Sequence, residues 1–352
     1  MYTAFYKLRD LPFQLGPDPR FFFGSSGHQR AMSYLTYGLS QGEGFIIITG
    51  DIGAGKTTLV GHLFDTLDRT KFIAAKVVTT QLDADDVLRM VASAFRIGAE
   101  GADKATLLRR LEDFFISTFR AGRRSLLVID EVQNLTVRAL EELRMLSNFQ
   151  TNQRTLLQTF LLGQPQFRNT LGSLDLEQLR QRVIASYHLG PLDGEETRAY
   201  IEHRLRMVGW EDDPHFSADA FGVIHRLTGG VPRKINTLCS RLLLYGYLEE
   251  AHALDGPVVE QVAAELAAEL PPAAPEAMMP QAATLSPAAP MAAAPMAAAL
   301  PMAAALPPGV SAGDLAVLAE RISALEGQVR QQGRSLEQVF DMASDYAERS
   351  RA

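Results

Sequence analysis

The sequence predicts an α/β fold in three layers, a parallel β-sheet between two layers of helices, followed by an all-helical region. Five short apolar runs alternate with helical patterns, as strands and crossover helices do around a parallel sheet. The runs are Phe45 to Thr49, Phe72 to Val78, Ser125 to Ile129, Leu156 to Leu162 and Val183 to Leu189. We therefore assign residues 1–190 to one α/β domain.

Strand-like runs stop after Pro191, and the apolar residues that follow recur at helical spacing. The predicted helices are Glu195 to Val208, Ser217 to Leu227, Pro232 to Glu249 and Pro257 to Leu270. We expect these helices to form a separate all-helical subdomain at residues 191–270.

A glycine-rich octapeptide directly follows the first predicted strand. It reads Gly50-Asp51-Ile52-Gly53-Ala54-Gly55-Lys56-Thr57 and leads into a helix predicted from Lys56 to Leu67. In such a loop the glycines let backbone N–H groups surround phosphates, the lysine reaches the β and γ phosphates, and the threonine hydroxyl holds Mg²⁺. The helix adds the positive end of its dipole. The octapeptide and the adjoining Thr58 therefore predict a site for ATP or GTP with Mg²⁺.

Two carboxylates end the third predicted strand and supply the second half of a nucleotide-hydrolysis site. We expect Asp130 to hold Mg²⁺ through water and Glu131 to polarise the attacking water. An apolar strand that ends in a carboxylate is common. The carboxylates indicate a nucleotide site here because the chain also carries the glycine-rich loop. A whole further strand separates the two motifs along the chain, which is consistent with a sheet that has another strand inserted between them.

Four further polar residues are candidates for the same site. Gln164 ends the fourth predicted strand, where its amide can contact the γ-phosphate or the attacking water, although a turn residue before Pro165 fits equally well. Arg180 and Arg182 lie where a helix runs into the fifth strand; guanidinium groups suit phosphate charge, but arginines there also favour the helix dipole. Arg233 falls in the first turn of a helix, where a cation opposes the dipole, so we expect an anionic partner such as a γ-phosphate.

The composition changes at Pro271. Ten of the 18 prolines lie between residues 271 and 308, where the unit Pro-Met-Ala-Ala-Ala occurs three times. Such a segment has few groups that could pack into a core. It predicts an extended, disordered linker over residues 271–312.

The tail at residues 313–345 carries a heptad pattern. Alternating three- and four-residue steps place Leu315, Leu318, Ile322, Leu325, Val329, Leu336 and Val339 on one face, with Gln332 in the remaining position. A helix of this length is marginal in isolation. The pattern predicts a coiled-coil helix that pairs with itself or with another protein, or else an amphipathic helix that is partly frayed.

Composition argues against several other classes of protein. The net charge of −7 and the pI near 5.6 disfavour a dedicated nucleic-acid surface. Cys239 is the only cysteine and the seven histidines form no ligand-like cluster, so we expect no intrachain disulfide and no zinc or iron site. No secretory signal or long apolar run is visible, which predicts a cytoplasmic protein that meets membranes only through partners.

Phe13 and Phe21 to Phe23 either flank an adenine ring or pack under the core.

With these residues in place, the chain resembles an AAA+ ATPase over roughly residues 1 to 270. Within that class it is similar to the general secretion pathway protein A (ExeA-like) group, specifically to the subfamily encoded with exosortase/PEP-CTERM loci. The segments that carry the resemblance are Phe5-Tyr6-Lys7-Leu8-Arg9, Pro12-Phe13, Pro17-Asp18-Pro19-Arg20-Phe21, Gly42-Glu43-Gly44-Phe45, Asp130-Glu131-Val132-Gln133-Asn134-Leu135, Leu140-Glu141-Glu142-Leu143-Arg144 and Gly163-Gln164-Pro165.

The resemblance implies a role for each candidate residue. It implies ATP rather than GTP, Gln164 near sensor 1 and Arg233 as sensor 2. It also implies that Arg182 or Arg180 is a finger that reaches a neighbour's nucleotide, which requires a homo-oligomer. Residues 191–270 become a lid over the nucleotide.

Three functions compete on the sequence alone. The leading hypothesis is an ATP-hydrolysing motor or switch that acts with the protein partners of an envelope export, exopolysaccharide or exosortase-linked machine. The alternative is an ATPase of the transposition-regulator or helicase-loader type, which polymerises on DNA; the acidic balance and the lack of an appended DNA-binding module disfavour it. The third is a nucleotide-gated scaffold that barely hydrolyses ATP, and an intact Glu131 argues against it.

Overall fold

The central element of the fold is a five-stranded parallel sheet. The computed structural model describes residues 2–79, 83–151 and 154–269, so the predicted linker and heptad tail lie outside the described residues. The strands are β1 (Phe45–Gly50), β2 (Phe72–Val78), β3 (Arg124–Asp130), β4 (Leu157–Gly163) and β5 (Val183–Leu189). Their spatial order is β2-β3-β4-β1-β5. All five predicted strands are present, and β4 is the strand inserted between the strand of the glycine-rich loop and that of the two carboxylates.

Twelve α-helices are present in the described part of the chain. The first eight are α1 (Tyr2–Phe5), α2 (Ser26–Gln41), α3 (Lys56–Thr66), α4 (Ala84–Ala94), α5 (Lys104–Arg120), α6 (Val137–Leu146), α7 (Gln166–Leu171) and α8 (Glu177–Arg180). The last four, which we call the lid helices, are α9 (Gly194–Met207), α10 (Ala218–Thr228), α11 (Pro232–Leu248) and α12 (Gly256–Glu269). The lid helices match the four predicted helices to within a residue or two at each end.

Helices cover both faces of the sheet, which is why its central strands are mostly apolar. Side chains alternate along a strand, so Phe45 and Ile47 of β1 face one layer and Ile46 and Ile48 face the other. The first pair joins a core formed with α4, α5 and α6, which includes Phe115. The second pair joins a core formed with α2 and α3. The predicted three-layer α/β/α arrangement is confirmed.

The strand register brings the carboxyl ends of the strands to one edge of the sheet. Gly50 at the end of β1 pairs with Leu189 of β5, and Thr49 pairs with Gly163 at the end of β4. On the other side of β4, Val78 of β2 pairs with Asp130 of β3. In open α/β sheets ligands bind outside this edge, so the fold alone indicates where a site should lie.

The lid helices form a core of their own together with the N-terminal segment. Tyr6 and Phe13 are buried with Ile201 and Leu242 in this core. The N-terminal segment is tied down by polar contacts as well, since the Tyr6 hydroxyl donates to the carbonyl of Ala251 at 2.8 Å. The first residues of the chain therefore pack on its last described helices.

The prediction that strands end at Pro191 is wrong in one detail. His215–Phe216 pairs in parallel with Ala253–Leu254 within the lid region. Two residues are too few to show an alternating pattern in the sequence, because the period of a strand is itself two residues. A short antiparallel pair, Gln150–Thr151 with Arg154–Thr155, escaped prediction in the same way.

Within the described ranges, no helix combines the length and the apolar character needed to cross a bilayer.

Candidate functional site

The glycine-rich octapeptide forms the turn between β1 and α3, and α3 begins at Lys56 as predicted. Gly53 and Gly55 have backbone φ angles of +84° and +96°, a region that residues with a side chain rarely adopt. Their lack of a side chain matters for packing too. A Cβ on Gly53 would collide with the side chain of Arg233, and one on Gly55 would lie 2.7 Å from Nε2 of His28. The loop is therefore a cradle whose walls come from α2 and from the lid.

The ammonium group of Lys56 is buried inside this cradle. It donates to the backbone carbonyls of Gly50, at 2.6 Å, and Asp51, at 2.9 Å. Burial lowers the pKa of Lys56, and the charges of Glu131 and Asp130 oppose that shift. An ammonium group has three donors, and these two bonds leave the third for a ligand oxygen.

Asp130 is a buried carboxylate that joins three elements. Only 2% of the residue is exposed. Its Oδ2 accepts a hydrogen bond from the Thr57 hydroxyl at 2.9 Å and forms an ion pair with Nζ of Lys76 on β2, also at 2.9 Å. Lys76 was missed from the sequence, although a single lysine within the apolar strand Phe72–Val78 is a signal that could have identified it.

Glu131 lies in the turn just beyond β3 in an unusual backbone conformation. Its φ is +57°, in the left-handed region that costs a side-chain-bearing residue free energy. The Thr79 hydroxyl lies 2.7 Å from the carbonyl of Glu131 and 2.9 Å from that of Asp130, which holds this turn against the end of β2. The side chain of Glu131 accepts from Nε2 of Gln133 at 2.6 Å and from Nε2 of Gln164 at 3.3 Å, both on Oε2.

Arg233 enters the site from the lid. It occupies the first turn of α11, as predicted, after Pro232. Its backbone N–H donates to the carbonyl of Gly53 at 3.2 Å, and its side chain lines one cavity with Lys56 and Glu131. No carboxylate of the described residues forms an ion pair with Arg233, so the positive charge at this helix start lacks a protein anion.

The cavity has a volume of about 230 Å³ and three kinds of wall. One wall is the glycine-rich loop with Thr58, another is the N-terminal segment from Gln14 to Phe23, and the third comes from the lid helices. Phe21, Phe22 and Phe23 all line it, while Phe13 is buried in the lid core. Phe13 therefore packs in the core, and contact of Phe21 to Phe23 with an adenine ring stays a prediction.

A buried polar network from the lid completes the wall, and sequence reasoning missed it. The Tyr200 hydroxyl donates to Oδ1 of Asn236 at 2.8 Å and accepts from Arg204 at 2.9 Å. Arg204 also donates to the carbonyl of Pro12 at 2.6 Å, and its guanidinium lies 4.6 Å from the centre of the Phe21 ring. Tyr200 and Arg204 stand four residues apart on α9, a spacing that reads in the sequence as an ordinary helix face.

His28 on α2 packs against the glycine-rich loop beside Gly55. Its Nδ1 lies 2.7 Å from the Ser25 hydroxyl, which also caps α2. Burial lowers the pKa of His28, against the effect of a hydrogen bond to the backbone of Ala54. The imidazole is therefore neutral near pH 7 and fills the space beside Gly55.

Arg180 and Arg182 lie away from this cavity. Arg182 donates to the Ser147 hydroxyl at 2.9 Å, and its carbonyl accepts from Phe45 at the opposite edge of the sheet. Arg180 ends α8, with its side chain 3.4 Å from the carbonyl of Gly172. Because β1 rises about 3.3 Å per residue, about 17 Å of strand separate Arg182, beside Phe45, from the start of the glycine-rich loop at Gly50.

The residues of the cavity fit a nucleoside triphosphate with Mg²⁺. The cavity is lined by the glycine-rich loop, and Lys56 and Arg233 supply positive charge to it. Thr57 and Asp130 offer a hydroxyl and a carboxylate, the oxygen ligands that Mg²⁺ prefers.

Lys76→Met removes the ammonium group and keeps much of the apolar stem. Because Asp130 stays buried with one of its partners lost, we expect the free energy of unfolding to fall by about 1–3 kcal/mol in urea denaturation. Lys71→Met is the matched control just before β2, where the pair of Lys71 with Asp68 is exposed and its loss should cost less than about 1 kcal/mol. Equal losses in the two variants would contradict a special role for Lys76.

Comparisons with known proteins agree with the geometry. The family described as an AAA domain matches residues 39–171. General secretion pathway protein A of Aeromonas hydrophila is 36% identical over 255 residues, which are 72% of this chain and 46% of that protein. The chain thus spans less than half the length of this curated relative.

Two solved structures show the fold. Cdc6p from Pyrobaculum aerophilum superposes with a TM-score of 0.55 at 14% identity, over 71% of this chain and 67% of that one. The ADP form of the Aeropyrum pernix ORC2 protein gives 0.54 at 16% identity, over 72% of each chain. The described body of this chain therefore has the AAA fold of the P-loop NTPases, and the chain is related to general secretion pathway protein A.

Proposed function

We propose that this chain is an ATP-hydrolysing motor or switch that energises or regulates an envelope export, exopolysaccharide or exosortase-linked secretion system. One observation carries the enzymatic part of the proposal. Lys56, Thr57 and Glu131 line one cavity together with Arg233 from the lid, and the buried Asp130 is hydrogen-bonded to Thr57. A site that only binds phosphate would need neither the buried Asp130 carboxylate, which accepts a hydrogen bond from Thr57, nor a Glu131 carboxylate held by two amide groups.

Each residue has a distinct task in the proposed reaction. Thr57 and Asp130 would hold Mg²⁺, which supplies positive charge to the β and γ phosphates when it is bound. Lys56 donates to the phosphate oxygens. Glu131 Oε1 accepts a hydrogen bond from the attacking water and orients it, while Gln164 fixes the other oxygen of Glu131.

The lid gives the proposed motor a moving part. Its helix α11 contacts the glycine-rich loop directly through Arg233 and Gly53, and α9 contacts the start of α2 through Glu196, whose Oε1 accepts from the N–H of Ser26 at 2.7 Å. A phosphate that pairs with Arg233 would tighten these contacts, and its loss would loosen them. Nucleotide chemistry can thereby change the position of the lid.

Glu131→Gln removes the carboxylate and keeps the size of the side chain. We expect kcat for ATP hydrolysis to fall by about 100-fold or more, with ATP binding retained, because the residue acts on water and not on the phosphates. Lys56→Ala is the contrasting variant and should lose nucleotide binding itself, measured with a fluorescent ATP analogue. Unchanged turnover in Glu131→Gln would contradict the proposed reaction.

Arg180 and Arg182 fit this proposal only if copies of the chain assemble. Neither side chain lies at the cavity of its own chain, so we propose that one of them reaches the nucleotide of a neighbouring copy. A finger of this kind stabilises the charge of phosphoryl transfer.

Mixing two inactive variants tests the finger. Lys56→Ala lacks its own nucleotide but retains both arginines, whereas Arg182→Ala retains its nucleotide but lacks one arginine. We expect the mixture to regain ATPase activity, because a Lys56→Ala neighbour supplies the missing guanidinium to a loaded site. The same mixture made with Arg180→Ala distinguishes the two arginines. No recovery with either variant would contradict a finger in trans.

The secretion role draws its support from the relationship to general secretion pathway protein A. Under this proposal the chain works in the cytoplasm as a homo-oligomer, its tail at residues 313–345 contacts a helical partner, and it reaches the inner membrane only through partner proteins.

Addition of duplex DNA tests the secretion role against the DNA-dependent alternative. We expect the ATPase rate to stay constant with DNA between about 50 and 200 mM salt, the range in which phosphate-contacting proteins lose most affinity. Cells whose only copy carries Glu131→Gln should release less polysaccharide or protein outside the cell. Strong stimulation by DNA that fades with salt would contradict the export role.

A further inference from the structure

The side chain of Gln133 links the proposed catalytic glutamate to the end of a neighbouring strand. Its Nε2 donates to Oε2 of Glu131 at 2.6 Å, and its Oε1 accepts from the backbone N–H of Gln164 at 3.0 Å. Gln164 follows β4 directly, whereas Gln133 lies in the short 3₁₀ turn Val132–Asn134 after β3. One amide therefore spans the gap between two adjacent strands.

We propose that Gln133 is the positioning residue that fixes Glu131 for attack by water, an inference that rests on the proposed ATPase function. In this role the Gln133 amide is held by the backbone of Gln164 at the end of β4. The amide in turn fixes the position of the Glu131 carboxylate. Gln133 itself contacts neither phosphate nor water in this role.

Chemistry fixes the orientation of this amide. A backbone N–H can only donate, so the carbonyl oxygen of Gln133 must face Gln164. The NH₂ group then faces Glu131, where a carboxylate oxygen can only accept. The amide cannot flip without losing both bonds, and its hold on Glu131 is therefore directional.

The packing around the amide leaves little freedom. A Cβ on Gly163 would lie 3.1 Å from Oε1 of Gln133 and 2.7 Å from Cγ1 of Val132, so a side chain at residue 163 would crowd both the amide and Val132. Oε2 of Glu131 also receives the side chain of Gln164, at the longer distance of 3.3 Å. Both bonds end on the same oxygen, and Oε1 keeps its lone pairs for a water in the cavity that Glu131 lines.

The constraint matters because Glu131 is otherwise poorly held. A glutamate side chain has three rotatable bonds, and its carboxylate must lie within a fraction of an ångström of its working position. A displacement of about 1 Å costs on the order of 100-fold in rate. With the two amides in place, the strand end and the carboxylate move as one unit.

A structural role for the turn is the competing explanation, and Asn134 provides its control. Asn134 lies in the same turn, and its side chain donates from Nδ2 to the carbonyl of Thr79 at 3.1 Å. Its backbone N–H donates to the carbonyl of Glu131 at 3.0 Å, a bond that does not depend on the side chain of residue 134. Asn134→Ala thus weakens the turn and keeps both hydrogen bonds of the Glu131 carboxylate.

The test compares Gln133→Met, which keeps the volume and removes both bonds, in the wild-type and Glu131→Gln backgrounds. We expect kcat to fall by about 10- to 100-fold, KM for ATP and affinity for a fluorescent ADP analogue to change less than about twofold, and Asn134→Ala to retain most activity. In the Glu131→Gln background, Gln133→Met should add nothing in single-turnover hydrolysis, because residues that act through one another are not additive.

A second variant separates the two bonds of the amide. Gln133→Glu is isosteric and keeps an acceptor for Gln164, but it loses the donor to Glu131, so we expect it to be at least as defective as Gln133→Met. Wild-type activity in either Gln133 variant overturns the inference while the ATPase function stands. An additive loss in the Glu131→Gln background, or an equal loss in Asn134→Ala, also overturns it. A wild-type chain that hydrolyses no ATP overturns the proposed function and this inference with it.

Discussion

The buried carboxylate of Asp130 is the constraint on which the rest of the site depends. A charge that is only 2% exposed requires partners, and Asp130 has one from the glycine-rich loop and one from β2. Thr57 and Lys76 are therefore drawn to the same oxygen, which fixes the start of α3 relative to the end of β3. Since β3 lies two strands away from β1, this one contact aligns the loop with the turn that carries Glu131.

Much of the fold was predictable because parallel sheets buried on both faces leave a strong pattern. Runs such as Phe45 to Ile48 are entirely apolar, and a loop with three glycines before Lys56 has few other uses in proteins. The positions of Asp130, Glu131 and Gln164 followed in turn, because the carboxyl ends of parallel strands meet at one edge. The chemical roles of these residues stay predictions.

What escaped prediction depends on contacts between distant parts of the chain. Arg204 and Tyr200 read as one face of an amphipathic helix, and only the docking of the N-terminal segment turns them into a buried network around Pro12 and Phe21. The ion pair of Lys76 with Asp130 can be predicted only if β2 and β3 are known to be neighbours in the sheet, and the sequence does not show this. The strands His215–Phe216 and Ala253–Leu254 are only two residues long, which is too short to show an alternating pattern in the sequence.

The contact between Gly53 and Arg233 has a mechanical consequence. The loop and the first turn of α11 lie so close that not even one methyl group fits between them. The two segments are in direct contact. A movement of the loop toward α11 by a few tenths of an ångström would therefore either displace α11 or be prevented by it. The position of the first turn of α11 is therefore coupled directly to the conformation of the loop.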